Sequence, residues 1–242
     1  MLTFVLIHGE YLGSWSWNLV VPWLYRKGHR VINVELPIER EGVGATGYAQ
    51  FVSEELNNIH LGGEIVIVGH STAGIFLHLI PPLVNKNYEI RRLLYLAALI
   101  PDSKHSMEML LAEGQVMKPK TGFPDVYKNK ADAFKYLFHD CAADVAAWAT
   151  SRLRPQNSWE IMSEINAVAA MNELNCSSIV CSLDRLIDSD WSKKATTNLL
   201  GAEAIEIEAG HCPQLSRPQE LALLLMQLGS LRAPRRRQAS RF

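Results

Sequence analysis

The sequence predicts an α/β fold with a mostly parallel β-sheet flanked by helices. Short apolar runs rich in β-branched residues alternate with segments in which apolar residues recur at helical spacing. The strand-like runs are apolar throughout, which is typical of parallel strands that are covered on both faces. A chain of 242 residues, 48% hydrophobic and 20% charged, also has the size and composition to bury a large core as one α/β domain.

The elements follow one another along the chain in a regular order. The predicted strands cover residues 3–7, 31–34, 65–68, 93–99, 178–183 and 204–207. Helical stripes lie between and after them, at residues 17–24, 48–59, 191–200 and 221–228, and another apolar helix precedes Pro81. Gly28 and the pair at residues 62–63 are placed to end the first two helices. Such alternation implies βαβ units and a parallel sheet.

The alternation stops over residues 102–171, which mix methionines with charged, aromatic and alanine-rich stretches and predict helices without a strand. A helical insertion directly after a strand's carboxyl end is placed to form a lid over the active-site face, whereas plain surface packing is the alternative. We therefore expect a core of residues 1–101 and 172–231, a helical cap of residues 102–171, and a basic, disordered tail of residues 232–242.

The third strand runs into the residues Gly-His-Ser-Thr-Ala-Gly at positions 69–74. A strand, a turn of small residues and an apolar helix are the context in which a G-x-S-x-G motif forms a nucleophile elbow, which presents Ser71 at the end of the strand. Here Ala73 occupies the position of the second glycine and Gly74 follows it, the smallest departure that the packing of such a turn allows. The alternative is an ordinary turn with a serine at a helix N-terminus.

A serine hydroxyl becomes a nucleophile when a base removes its proton and a third group orients that base. Asp184 and His211 follow the last two predicted strands, and catalytic side chains in open α/β sheets lie at the carboxyl ends of strands. The chain order of serine, aspartate and histidine is that of α/β-hydrolases. Three other acids compete with Asp184 for the orienting role: Asp102, Asp188 and Asp190. We predict a Ser71–His211–Asp184 triad because Asp184 lies nearest its strand.

An oxyanion hole needs two amides aimed at the developing charge. We expect them from Thr72, directly after the serine, and from Glu10, in the loop after the first strand. The Glu10 side chain is unusual at this place because a carboxylate beside an oxyanion opposes it, so the side chain must point away, pair with a cation or take part in chemistry. The residues assigned to the substrate pocket are Gly9, Tyr11, Trp15 and Cys212.

No metal or cofactor is expected, because the sequence has no HExxH motif, no zinc-type CxxC spacing and no G-x-G-x-x-G after a strand. The net charge of −1 indicates no nucleic-acid partner, and no apolar segment has the length of a membrane span or a signal peptide. The tail holds five arginines and no acid, which is typical of a solvated end. Four dispersed cysteines indicate a reduced, cytoplasmic protein. A small-molecule ester is the expected partner, and the sequence leaves open whether the protein forms a homodimer.

The assembled sequence resembles the α/β-hydrolases, and within them the plant methylesterase and hydroxynitrile lyase group with its bacterial esterase relatives. The resemblance covers most of the chain outside the cap, through residues 4–9, 13–17, 69–74, 180–185, 206–211 and 218–221. In the lyases a threonine stands where this chain has Gly9, and a lysine stands where it has Cys212 after the catalytic histidine. Both departures favour ester hydrolysis. Members of the group usually carry a small residue at the position of Glu10.

The residues and the resemblance together predict a serine carboxylesterase that cleaves a small, largely apolar ester, methyl esters included, through an acyl-enzyme and without a cofactor. Two alternatives stay open. The fold also supports a non-hydrolytic lyase or cyclase that would use Glu10 beside the triad, or a receptor that uses the pocket for binding alone.

Overall fold

A computed structural model describes residues 1–114, 116–119, 124–165 and 174–231 of the chain. In this part of the chain six parallel strands form one sheet in the order β2-β1-β3-β4-β5-β6. The strands are β1 (Thr3–Ile7), β2 (Arg30–Val34), β3 (Gly63–His70), β4 (Tyr88–Leu96), β5 (Cys176–Cys181) and β6 (Ala204–Ile207). The parallel sheet that the apolar runs predict is confirmed.

Helices connect and cover the strands. The α-helices of the described residues are α1 (Val21–Arg26), α2 (Ala45–Ile59), α3 (Met107–Ala112), α4 (Lys130–Asp132), α5 (Ala143–Thr150), α6 (Trp159–Ser163), α7 (Ser189–Ala195), α8 (Pro213–Ser216) and α9 (Pro218–Ser230). Short 3₁₀ segments occupy Ser14–Trp17, Ser71–Ile75, Leu77–Leu79 and Pro81–Leu83, and π-helical turns extend α4 over Ala133–Leu137 and α7 over Thr196–Leu200.

The sheet buries apolar side chains on both faces, which explains the uninterrupted apolar strands. On β3, Ile65 and Ile67 belong to a core that includes Val52 of α2. The alternate residues Val66 and Val68 belong to a second core, which includes the buried leucines of α9. Side chains of consecutive strand residues point to opposite faces of a sheet, so each strand supplies both layers.

The strand order reverses between β1 and β3, because β2 lies on one side of β1 and the later strands lie on the other. Ile7 and Gly69 are partners in this register, so the loops after β1 and β3 leave the sheet side by side. Ligand sites in open parallel sheets lie at this kind of crevice, at the carboxyl ends of the strands. The fold therefore brings the loop around Glu10 to the turn around Ser71.

The predicted strands are all present; the first and the last have the predicted bounds, and the other four have shifted ends. β4 begins five residues earlier than the prediction of 93–99 and ends at Leu96. β5 covers Cys176–Cys181 instead of 178–183, because the Leu183 amide turns to donate to the Ala209 carbonyl at 3.0 Å. Cys176 and Cys181, the first and last residues of β5, are buried.

The continuous helix predicted between Ser71 and Pro81 is wrong, because this stretch forms three short 3₁₀ segments. The Leu99 amide, from the loop after β4, donates to the Ser71 carbonyl at 3.1 Å. In an α-helix that carbonyl would accept from residue 75. A contact between distant segments therefore replaces the first helical bond, and the prolines at 81 and 82 end the stretch.

The described residues between 102 and 165 contribute α3 to α6 and contact loops at the carboxyl ends of the strands. Arg154 donates from its backbone amide to the Tyr11 carbonyl at 2.8 Å and from Nε to Glu39 at 2.6 Å. One antiparallel bridge joins Met117 to Ile187. Parts of the predicted cap (residues 115, 120–123 and 166–171) and the whole tail of residues 232–242 lie outside the described residues, so the division into core, cap and tail stays a prediction. None of the described helices is long and apolar enough to cross a membrane.

Candidate active site

Ser71 follows β3 directly and has a left-handed backbone conformation, with φ at 55°. Such a conformation costs a residue with a Cβ about 1–2 kcal/mol, and the surrounding packing must hold it in place. Gly9 is part of that packing, because a Cβ on Gly9 would lie 2.7 Å from the Ser71 Cβ. The close approach requires glycine at position 9 and fixes the loop after β1 against the serine.

Gly74 supplies the close contact that the second glycine of the motif usually makes. A Cβ at this position would lie 2.8 Å from the Ala98 Cβ and would also overlap the Leu99 carbonyl. Ala73 is fully buried and tolerates its methyl group. The shift of the glycine by one residue therefore preserves the sharp turn, and Ser71 keeps its position at the end of β3.

Ser71, His211 and Asp184 form one hydrogen-bonded chain. The distance from Ser71 Oγ to His211 Nε2 is 3.0 Å, and His211 Nδ1 lies 2.8 Å from Asp184 Oδ2. All three side chains are buried. With Nδ1 protonated and donating to the carboxylate, Nε2 is free to accept the serine proton.

The Asp184 carboxylate is held by the loop that carries it. Oδ1 accepts from the amides of Leu186 at 2.8 Å and Ile187 at 3.2 Å, which leaves Oδ2 for His211. The three competing acids lie elsewhere or are engaged elsewhere. Asp102 pairs with His105 at 2.8 Å, Asp188 caps α7, and Asp190 is in the first turn of that helix.

Two neighbours fix the backbone around His211. The His70 Nε2 donates to the His211 carbonyl at 2.8 Å, and the Gly210 amide donates to Asp140 Oδ2 at 2.7 Å. Burial, and then the nearby imidazole of His211, hold the pKa of His70 well below its usual value. His70 is therefore neutral and acts as a donor to the loop.

His8 fixes the loop on the other side of Ser71. Its Nε2 accepts from the Leu36 amide at 3.0 Å, and its Nδ1 lies 2.9 Å from the Gly9 carbonyl. Burial lowers the pKa of His8 to about 4, so the ring is neutral at physiological pH. Both ring nitrogens are used in backbone contacts, which makes His8 a structural residue of this loop.

The amides expected in the oxyanion hole belong to Glu10 and Thr72. These residues lie on the loops after β1 and β3, which leave the sheet side by side. In the described part of the chain neither amide donates to a protein acceptor. Free amides next to a nucleophile are what oxyanion binding requires. Their participation stays a prediction.

The Glu10 side chain turns into the protein and not toward solvent. It is 7% exposed, and its Oε1 accepts a hydrogen bond from the Ser158 hydroxyl. Its Oε2 has no hydrogen-bond partner in the described part of the chain. Burial raises the pKa of the Glu10 carboxyl to about 7, although the hydrogen bond from Ser158 and the neighbouring Tyr11 side chain act in the opposite direction. Nothing in the sequence connects Glu10 to Ser158, which lies 148 positions later.

An enclosed cavity of about 10 Å³ lies at the triad. Its lining comprises Glu10, Tyr11, Leu12, His70, Ser71, Val126, Leu137, Leu186 and His211. A volume of this size holds about one water molecule. Of the residues assigned to the pocket, Tyr11 lines the cavity, whereas Gly9 packs against Ser71 beside it.

Trp15 and Cys212 are not among the lining residues, and their place in a substrate pocket stays a prediction. Trp15 packs edge-on against Trp148 with ring centres 5.2 Å apart, and Cys212 is fully buried. The apolar residues Val126 and Leu137 were not found from the sequence. Val126 lies in a turn and Leu137 ends a π-helical turn, and the spacing of these residues carries no signal for a distant site.

The described residues contain no group of three or more histidines, cysteines, aspartates or glutamates placed to hold a metal ion. All four cysteines are free thiols. Burial raises the pKa of the Cys212 thiol well above its usual value, which keeps this thiol protonated.

The sequence matches the alpha/beta hydrolase family over residues 4–222, and the chain belongs to that family. Among its relatives, salicylic acid-binding protein 2 of Nicotiana tabacum is 26% identical over 93% of this chain and 96% of the relative. Methylesterase 3 of Arabidopsis thaliana is 24% identical over 93% of this chain and 95% of the relative. The crystal structure of polyneuridine aldehyde esterase superposes with a TM-score of 0.76 at 21% identity, over 94% of this chain and 99% of that one. The fold and the resemblance to plant methylesterases expected from the sequence are confirmed.

Proposed function

We propose that the protein is a serine carboxylesterase that cleaves a small, largely apolar ester, with methyl esters as the first candidates. The observation that carries the proposal is the buried hydrogen-bonded chain from Ser71 through His211 to Asp184. A serine is activated when its hydroxyl lies within hydrogen-bond reach of an oriented base, and 3.0 Å satisfies that condition. Membership of the alpha/beta hydrolase family and the similarity to methylesterases support the same reaction class.

In the proposed reaction Ser71 Oγ attacks the ester carbonyl while His211 Nε2 accepts the hydroxyl proton. The amides of Glu10 and Thr72 hold the oxygen of the tetrahedral intermediate. The alcohol leaves with the proton from His211, and a bond between Ser71 and the acyl group remains. A water molecule, deprotonated by His211, then releases the carboxylic acid and restores the serine. Asp184 keeps the imidazole oriented and stabilises its cationic form.

The lining of the cavity supports an apolar substrate. Four of its lining residues are aliphatic, and the present volume of about 10 Å³ is too small for an acyl group. Val126 and Leu137 close the cavity from the segment between β4 and β5. We propose that the part of this segment that carries Val126 and Leu137 moves aside for the ester and closes again to exclude water, as lids do in other enzymes.

The cytoplasmic location also remains a proposal. All four cysteines are free thiols, which supports a reducing compartment.

The test is labelling with a fluorophosphonate probe, followed by intact-mass measurement, on the wild-type protein and on Ser71→Ala. We expect one adduct on the wild type and none on the variant. His211→Ala is a matched control that keeps the hydroxyl and removes its base, and it should label far more slowly. A folded wild-type protein that forms no adduct would refute the esterase proposal. A positive result leads to a screen of methyl esters of increasing acyl length.

A further inference from the structure

Glu10 is a buried carboxyl group at the wall of the active-site cavity. It lines the same enclosed space as Ser71 and His211. Only Oε1 is satisfied, by Ser158, whereas Oε2 is buried and lacks a partner in the described part of the chain. Leaving a buried acceptor without a donor is unfavourable, and charged acceptors are the most costly to leave unpaired. The protein therefore keeps one unsatisfied acceptor next to its nucleophile.

Aliphatic side chains make up much of the cavity wall beside Glu10. Leu12, Val126, Leu137 and Leu186 line the same cavity, and the triad side chains are already paired with one another. Specific ligand sites are usually apolar walls with a small number of polar groups that fix orientation. Glu10 lines this cavity, and its Oε2 has the unused hydrogen-bonding capacity that such a polar group needs.

We propose that Glu10 is a specificity-determining residue whose carboxyl group accepts a hydrogen bond from a hydroxyl or amino group carried by the ester substrate. The proposal rests on the esterase function proposed above and narrows its substrate class to esters that are largely apolar but carry one hydrogen-bond donor. A hydroxyl and an ammonium group share the chemistry that the carboxyl recognises, and the experiment separates them.

The position of Glu10 explains why a donor is required. Its amide is a candidate for the oxyanion hole, so its carboxylate lies near the place where negative charge develops. In a site with little water, such a charge opposes the oxyanion. A donor on the substrate would neutralise or polarise the carboxylate and weaken that opposition. An anionic substrate would add to the opposition and should be a poor ligand.

The titration of Glu10 supports the same requirement. Burial raises its pKa to about 7, so the carboxylate becomes the major form as the pH rises through neutrality. The advantage of a donor-bearing ester over its plain counterpart should therefore grow between pH 6 and pH 8. His211 and Ser71 face the cavity with Glu10, and the Ser158 hydroxyl bonds to its Oε1. The neighbouring Tyr11 side chain lowers the pKa of Glu10, and Asp125 adds a small like-charge effect that raises it. A Glu10→Gln variant removes the titration and leaves these groups in place.

The experiment compares kcat/KM for methyl hexanoate with its hydroxy and amino derivatives, substituted in turn at each carbon from 2 to 6. The preference is the kcat/KM of a derivative divided by the kcat/KM of the plain ester. It is compared between the wild type and the variants, so that the intrinsic reactivity of each ester cancels. We expect the wild type to prefer at least one derivative by roughly 10- to 100-fold relative to Glu10→Ala. Glu10→Gln should keep part of a hydroxyl preference, through its amide oxygen, and lose an ammonium preference.

Ser158→Ala is the matched control, because it removes the existing partner of Glu10 without removing the carboxyl group. It should retain the preference. The proposal is overturned if the wild type shows the same preference ratios as Glu10→Ala. It is also overturned if Ser158→Ala loses the preference to the same extent as Glu10→Ala. It is also overturned if folded Glu10→Ala loses all ester hydrolysis while Ser71 still reacts with the fluorophosphonate, since Glu10 would then take part in the chemical steps. If the folded wild-type protein formed no fluorophosphonate adduct, the esterase function itself would be refuted.

Discussion

Asp140 accepts a hydrogen bond from the Gly210 amide at 2.7 Å, one residue before the candidate catalytic histidine. The neighbouring His139 lies with its Nε2 3.1 Å from the carbonyl of Leu183, one residue before Asp184. Two consecutive residues between β4 and β5 therefore hold the two loops that carry the base and the acid. This arrangement places part of the support for the triad outside the strands that present it.

Replacement of Asp140 by alanine should reduce catalysis by displacing the His211 loop. The Gly210 amide would lose its acceptor, and we expect kcat to fall about tenfold with a loss of about 1–3 kcal/mol in stability. Steady-state kinetics with a short methyl ester and thermal unfolding measure the two effects. Asp140→Asn is the matched variant, since its amide oxygen can still accept the bond. Equal activity in both variants would show that this hydrogen bond does not position the histidine.

Asp184→Asn should decrease kcat by about 10³- to 10⁴-fold, because an amide nitrogen facing His211 favours the wrong tautomer of the imidazole. Fluorophosphonate labelling of Ser71 should slow in parallel. Asp188→Asn is the control from the same loop. Asp188 caps α7 through the amides of Asp190 and Trp191, both at 3.0 Å, so the control should keep nearly normal kinetics. If the two variants lost activity equally, the assignment of Asp184 would be wrong.

Glu10 should make the protein less stable as the pH rises. Its pKa is raised by burial from 4.5 to about 7, so the folded state binds the proton more tightly than the unfolded chain. The stabilisation is complete below pH 4.5 and is lost as the pH rises through 7. Its full size corresponds to about 3 kcal/mol.

Glu10→Gln, which stays neutral, should therefore match the wild type near pH 4.5 and exceed its stability at pH 8 to 9. Chemical unfolding at a series of pH values measures this difference. Glu41→Gln, at an exposed position, provides the control and should leave the pH dependence unchanged. A constant difference between Glu10→Gln and the wild type across this range would contradict the raised pKa.

Gly74→Ala should destabilise the turn that presents Ser71. The added methyl group would lie 2.8 Å from the Ala98 Cβ and overlap the Leu99 backbone, so we expect a loss of about 1–3 kcal/mol and reduced labelling of the serine. Gly47→Ala, within α2, is the control: its Cβ would approach the Val43 side chain at 3.1 Å, with no backbone contact nearer than that. Helix propensity should make that change neutral or stabilising by up to about 1 kcal/mol. Differential scanning calorimetry distinguishes the two variants.

Several features of the site could be read from local sequence patterns. The apolar runs located the strands, and the small residues after β3 located the turn at Ser71. The carboxyl ends of parallel strands lie at the same edge of a sheet. The positions of Asp184 and His211 directly after their strands were therefore sufficient to predict that they lie near Ser71. The helix expected after Ser71 could not be corrected from the sequence, since the Leu99 amide that takes the Ser71 carbonyl comes from a later loop.

The sequence by itself determined the parallel sheet, the family resemblance and the three residues of the candidate triad. Their signals depend on neighbours in the chain and on the alternation of strands and helices. Only the tertiary structure decided the environment of Glu10, the closure of the cavity by Val126 and Leu137, and the support of the His211 loop by Asp140. These features depend on contacts between residues far apart in the chain. The burial of a side chain and its hydrogen bonds at such contacts depend on packing geometry, which a local pattern of residue types does not predict.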